Sequence, residues 1–423
     1  MNSFVKLIVQ VFQVIPVMLF HPNYAFIFWT LTILVFFQYR RCANLEKRIY
    51  GVTKNQIQAQ VLSALGYGLL GGLAGSILLV SIGISLSSSG IIYLWPLAVF
   101  LMLINPRFMC FAYAGGIVSL VSLVSGWPDI HVPGLMGLVA VLHMTESFLI
   151  WMSGDSCATP LFIKNKRGEV VGGYVLQKFW PIPIAVLVLT AVPDISALEG
   201  LIQMPEWWPL IRPDSSVMEA GNLVFAMIPV AAALGYSDIA ITMPPREKSA
   251  RSALTLAAYS LLLLSFSILA SRVALFKWVA VLFAPLGHET VIHLGIRREV
   301  VAPSYYSQPE RGLRVLGVMP GSASWRAGIR PGDILFEVAG YQIKSRDELR
   351  NALFFAFDRV FITYESIEDG TLRQIWVKKD PDGYLGLVTA PEPGDSQHIE
   401  IGQSMLLSGT LGRRIARFLG LER

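Results

Sequence analysis

The first 296 residues form a succession of apolar runs separated by short polar segments, and this pattern confines the backbone more than any motif does. In lipid a backbone amide or carbonyl finds no water, so a crossing segment must satisfy its own hydrogen bonds. A helix of about 20 apolar residues does so. The candidate spans are 4–20, 23–38, 60–82, 91–105, 108–125, 134–152, 179–193, 221–240, 252–271 and 274–293. Several are short, so a polytopic helical membrane domain of about 8–10 spans is expected over residues 1–296. The first run also suits an interfacial helix, because Lys6, Gln10 and Gln13 interrupt it. No small-residue cleavage site follows it, and it is not read as a signal peptide. Composition points the same way: 54% of the residues are apolar and 15% charged, where a soluble globule carries about 25% charged residues. Pro16, Pro96, Pro181, Pro183, Pro229 and Pro285 lie in or near the runs and imply kinks shielded by neighbouring helices. The glycine-rich stretch 66–76 suits close helix packing.

The basic residues divide the loops into two sets. One set holds Arg40, Arg41, Lys47, Arg48 and Lys54; Lys164, Lys166, Arg167 and Lys178; Arg246, Lys248 and Arg251; and Arg297 and Arg298. The alternate loops hold Arg212 and Arg272, and residues 194–220 carry Asp194, Glu199, Glu206, Asp214 and Glu219. The positive-inside rule places the first set, both chain ends and the C-terminal region in the cytoplasm. The net charge of +5 then reflects topology and contact with anionic membrane lipid. No nucleic-acid-binding module accompanies it, so nucleic acid is not an expected partner. Trp207 and Trp208 read as interfacial anchors. Cys42, Cys110 and Cys157 are odd in number and far apart, and are read as reduced structural thiols.

From Arg297 onward, charged and turn-forming residues become frequent, which marks a domain boundary and a small α/β module over 299–390. Residues 312–318 and 334–338 alternate like strands, as do 359–365 and 372–378, the last two joined at Asp369-Gly370. Ser345 and Glu348 have capping-box spacing for a helix over 345–357. The run Val318-Met319-Pro320-Gly321-Ser322-Ala323, then Ala327-Gly328-Ile329, then Gly332-Asp333-Ile334-Leu335, Val338 and Gly340 is similar to the signature of bacterial PDZ domains. That resemblance implies capture of an extended peptide as an added strand between a sheet edge and a helix. A glycine-containing loop would present amides to the peptide carboxylate. Two segments offer such a loop: Glu299–Tyr306, and Gly383-Tyr384-Leu385-Gly386-Leu387, which looks like the family's loop in circularly permuted order. The second supplies a glycine among apolar residues, so Tyr384, Leu385, Gly386 and Leu387 are the candidate peptide-binding residues, opposite Leu349 and Leu353 of the helix. The alternative is a closed groove in a module that only packs on a partner. Residues 391–423 form a tail in which Leu407, Leu411, Ile415 and Phe418 fall at helical spacing beside arginines, as an amphipathic or flexible segment.

A membrane protein with such a module raises the question of an intramembrane zinc protease. Such enzymes use H-E-x-x-H, which puts both histidines on one helical face. Here His288-Glu289 and His293 are spaced by five, which turns the second ring by about 140° from the first. No catalytic set, metal site or cofactor is therefore expected. His143, Glu146, His288 and Glu289 are ionisable groups at membrane depth, and read as a satisfied packing network or as a proton or ion path.

Over nearly its whole length the chain resembles the MinJ family, membrane PDZ proteins of bacterial division-site selection. The likeness rests on His21-Pro22, Trp207-Trp208-Pro209, Ala284-Pro285-Leu286-Gly287-His288-Glu289, the Gly312–Gly317 strand and Leu385-Gly386-Leu387. The arginine-rich end of the tail departs from the family. The resemblance implies a non-enzymatic scaffold at poles and septum that bridges DivIVA-like and MinD-like division proteins. Site-2-type metalloprotease and transporter or sensor are the alternatives.

Overall fold

The computed structural model describes residues 3–50, 56–87, 89–164, 168–192, 201–213, 223–392, 395 and 399–400. The N-terminal part contains α1 (Ser3–Phe20), α2 (Pro22–Tyr50), α3 (Ile57–Ile82), α4 (Ile91–Ile104), α5 (Phe111–Ser125) and α6 (Val132–Ser153). Then come β1 (Thr159–Lys164), β2 (Val170–Ala191), β3 (Leu223–Ala240), α7 (Pro245–Ala270) and α8 (Ala274–Val301). Among them α1, α3, α6, α7 and α8 are long and apolar enough to cross a bilayer, and α2 carries the aromatic 23–38 run. The expected membrane helical part followed by a small α/β module is what the chain forms.

Two expected spans, 179–193 and 221–240, are not helices. They are the paired strands β2 and β3, antiparallel from Tyr174↔Ala240 to Ala191↔Leu223. The prolines explain why. Pro181 and Pro183, two residues apart, would each cost a helix about 3 kcal/mol, whereas a strand tolerates proline where the missing N–H faces away from its partner. Both face outward from β3, toward α3. At Gly68 and Gly72 of α3, an added Cβ would lie 2.1 Å from the carbonyl oxygens of Pro181 and Pro183. The expected close packing of this glycine run is therefore against a strand on one side, and against α6 on the other, where Gly71 meets Leu149 and Gly75 meets Thr145.

The rest of that β2 edge is bonded group by group. Tyr39 Oη donates to the Phe179 carbonyl (3.1 Å) and accepts from the Phe179 amide (3.2 Å). The Ala185 amide donates to Ser76 Oγ (2.8 Å), the Leu86 amide to the Leu187 carbonyl (2.8 Å), and the Leu189 amide to Ser87 Oγ (2.7 Å).

The short runs 91–105 and 108–125 form a re-entrant hairpin rather than two crossings. At 1.5 Å per residue α4 and α5 are each about 20 Å long, less than the roughly 30 Å of hydrocarbon. Their outer ends meet, with the Tyr93 and Trp127 rings 5.7 Å apart. The tip, a short 3-10 turn at Pro106–Met109, reaches the middle of α6 and α8.

The basic segments gather at one end. Thr159 bonds Glu46 (2.8 Å), Arg246 pairs with Asp155 (3.3 Å), and Lys248 lies 3.4 Å from both Asp238 and Glu299. The segment 201–213 packs at the opposite end, where the Leu210 amide donates to the Ile82 carbonyl (2.9 Å). Ser3 Oγ donates to the Gln203 carbonyl (2.6 Å), so the start of α1 lies at this end and not, as expected, beside the basic segments. Trp207 is half exposed and stacks on Phe4 at 5.3 Å. Trp208 turns inward and donates to the Val80 carbonyl (3.1 Å), a packing role where an interfacial anchor was expected. Lys54, Lys166, Arg167, Asp194, Glu199, Asp214, Glu219 and the proposed helix after residue 400 lie outside the described residues.

Gly72 and Gly66 separate the packing argument from helix propensity. Gly72→Val should sharply lower the thermal stability of the detergent-solubilised protein. Gly66→Ala meets no atom within 4 Å and should leave stability unchanged or raise it, by up to about 1 kcal/mol.

Candidate peptide-binding site

The C-terminal module comprises β4 (Leu313–Val318), α9 (Ala323–Arg326), β5 (Ile334–Val338), β6 (Tyr341–Gln342), α10 (Arg346–Phe355), β7 (Arg359–Glu365), β8 (Leu372–Lys378) and β9 (Leu387–Thr389). Its sheet runs β8-β7-β5-β4-β9, with β6 on β5. Leu313, Val315, Leu335, Val338, Val360 and Ile362 form the core with Leu349 and Leu353 from α10. The signature residues hold the turns. Asp333 is buried and accepts from the amides of Arg330 (2.8 Å) and Ile367 (2.9 Å). Ser345 and Glu348 close the anticipated capping box at the start of α10.

β9 lies at the sheet edge, and among the described residues no strand pairs with its outer side. The loop before it is turned in a particular way. The Leu385 carbonyl accepts from the Ser324 amide (3.0 Å) and the Gly386 carbonyl from the Met319 amide (2.9 Å). The Leu385 and Gly386 amides make no hydrogen bond among the described residues. Both carbonyls of this turn are thus taken up by the module itself. Gly386 is required twice over: its φ is +69°, and an added Cβ would lie 2.2 Å from Ser322 Cβ. Tyr384 is 59% exposed, and Leu385 is 2% exposed in the core. Leu349 and Leu353 of α10, each 7% exposed, belong to the module's core. The upstream candidate, Glu299–Tyr306, is engaged elsewhere: Glu299 accepts from the Ile241 and Thr242 amides, and Tyr306 bridges to Gly172.

Two contacts had no signal in the sequence. Asp380 anchors the loop, accepting from the Ala323 amide (2.9 Å) and pairing with Arg326 (2.7 Å). Arg346, first residue of α10, bonds Thr389 Oγ1 (3.1 Å) and Asp395 (3.0 Å), tying the far end of β9 to the helix.

The module is docked on the membrane part rather than tethered to it. Tyr174 Oη donates to the Leu316 carbonyl, and the Tyr174 and Tyr306 rings lie 5.3 Å apart. The Arg346 guanidinium lies 5.6 Å from the Phe162 ring centre. A two-residue strand, β10 (Ile399–Glu400), pairs in parallel with β1.

Of the four ionisable residues singled out in the membrane part, the structure brings the rings of His143 and His288 together, 5.1 Å apart. Glu289 turns away, bonding Arg107, Tyr113 and His293. His293 is 69% exposed and lies 2.9 Å from Glu289, so it does not converge with His288.

Residues 314–353 match the PDZ domain family. Over 249 residues, 57% of this chain, the sequence is 25% identical to the cell division topological determinant MinJ of Bacillus subtilis (strain 168). The match takes in 55% of that protein. The chain is thus similar to MinJ and carries a PDZ domain behind a multi-pass membrane part.

Burial acts to raise the Asp380 pKa, but the Ala323 amide and Arg326 outweigh it and hold the carboxyl below its usual value. Its contribution is therefore present above the unfolded pKa of about 3.9 and lost as pH falls through the lower folded value. Asp380→Asn should lower the melting temperature at neutral pH, and the gap to wild type should close in acid.

Proposed function

We propose that this chain is a non-enzymatic membrane scaffold whose PDZ groove binds partner proteins in bacterial division-site selection. The observation that carries this reading is the open β9 edge beside the unbonded amides of Leu385 and Gly386, an arrangement that takes an extended peptide by its terminal carboxylate. The similarity to MinJ, a cell division topological determinant by name, supports the division context. By the same resemblance the partners are DivIVA-like and MinD-like proteins and the location is the poles and septum. The gathering of four basic segments at the end where the module docks supports a cytoplasmic groove. Phe354 and Phe355 at the end of α10 and Phe357 just after it are exposed and add an apolar surface to the module.

The test is affinity capture with the full chain from membranes, beside the double variant Gly386→Glu, Leu387→Asp. The native chain should retain the division partners and the variant should lose them at least roughly tenfold, a difference of about 1.4 kcal/mol. Equal retention would reject the groove, and capture of no division protein by the native chain would reject the scaffold reading.

A further inference from the structure

Cys110, placed by sequence among bland thiols, sits at the tip of the re-entrant hairpin with its Sγ 3.0 Å from His143 Nε2 and 3.5 Å from His288 Nε2. One donor atom from each of the three residues lies within 4.8 Å of the others, and among the described residues no other group of three His, Cys, Asp or Glu side chains is so placed. We infer that Cys110, His143 and His288 form a binding site for a zinc-class divalent ion, buried at mid-depth in the membrane part.

The spacing fits that chemistry. With zinc–sulfur bonds of about 2.3 Å and zinc–nitrogen bonds of about 2.0–2.1 Å, ligand atoms around a tetrahedral ion stand roughly 3.3–3.6 Å apart. The two sulfur-to-nitrogen distances lie within about half an ångström of that range, and the two ring nitrogens lie within 4.8 Å of each other. The ring chemistry fits as well. His143 Nδ1 lies 2.7 Å from the Val139 carbonyl, and a carbonyl accepts, so this nitrogen carries the proton. Nε2 is left with its lone pair aimed at Cys110. An outer hydrogen bond of this kind is what orients metal-binding histidines in general. His288 Nδ1 is buried with no hydrogen-bond partner among the described residues, and the rings of Tyr113, Tyr259 and His143 pack around that imidazole.

Cys110 binds as thiolate, and its proton leaves to solvent as the ion enters. Cys110 is itself only partly buried, and the nearby Arg107–Glu289 pair is partly exposed. The three ligands come from the start of α5, the middle of α6 and the middle of α8, so the ion would join three separate elements of the membrane part. Three protein ligands leave a fourth position for an exogenous donor. Glu146, although three residues from His143 on the same helix, lies outside the trio.

The test uses the full chain in detergent, purified without a polyhistidine tag in a Cys42→Ser, Cys157→Ser background, and loaded with zinc or cobalt alone before desalting. The expected result is about one ion per chain, with thiolate-to-cobalt charge-transfer absorption in the cobalt form. Cys110→Ser should remove that band, and His143→Asn with His288→Asn should cut retained metal at least roughly tenfold. His293→Asn should retain both signals. The inference is overturned if the background chain keeps no ion after desalting or shows no thiolate band, a result that requires no variant of the trio to fold. It is overturned equally if metal content is unchanged when Cys110, His143 and His288 are all replaced.

Discussion

Everything in the membrane part turns on the unpaired edge of one strand. A hairpin set among lipid-crossing helices has two edges, and each unbonded backbone group there would cost several kcal/mol in a medium without water. The β2 edge that faces α3 answers this residue by residue. Tyr39 serves both groups of Phe179, while Pro181 and Pro183 have no amide to satisfy. Ser76 takes the Ala185 amide, and the 84–87 segment covers Leu187 and Leu189. The glycines of α3 follow from the same need. Only a helix surface without Cβ atoms can lie over the proline carbonyls closely enough to exclude everything else.

That accounting shows what was legible in the sequence and what was not. Length and apolarity identified the helices α1, α2, α3, α6, α7 and α8, because about 20 apolar residues is what a crossing helix needs. The same criterion misread β2 and β3, since a continuous apolar run does not by itself distinguish a buried strand from a helix. The signal was present in Pro181-Ile182-Pro183, which is a kink in a helix but costs nothing on an outward strand edge. The module was legible because its motif is largely local: Asp333 bonds the Arg330 amide and Ser345 the Glu348 amide, each three residues away. Its docking was not, because Tyr174 and Leu316 are 142 positions apart.

The Cys110 cluster illustrates the same limit more sharply. Its members are separated by 33 and 178 positions along the chain, and no spacing rule reaches that far. What sequence reading did detect was the oddity of ionisable groups at membrane depth. It took His143, Glu146, His288 and Glu289 together as one network or path. The fold regroups them by chemistry, pairing the two rings and sending Glu289 to Arg107 and Tyr113.

The docking of the PDZ module on β1 and β2 has a consequence for how a groove finds its ligand. A domain on a flexible tether tumbles about three axes, and its partner must wait for a productive orientation. Here β4 is hydrogen-bonded to Tyr174 of the hairpin, which runs on alongside α3 toward the far end of the membrane part. The module is thereby left with one free rotation, about the membrane normal, and with diffusion in two dimensions. For the groove proposed above, a membrane part this large would then be a mount that sets the angle of approach.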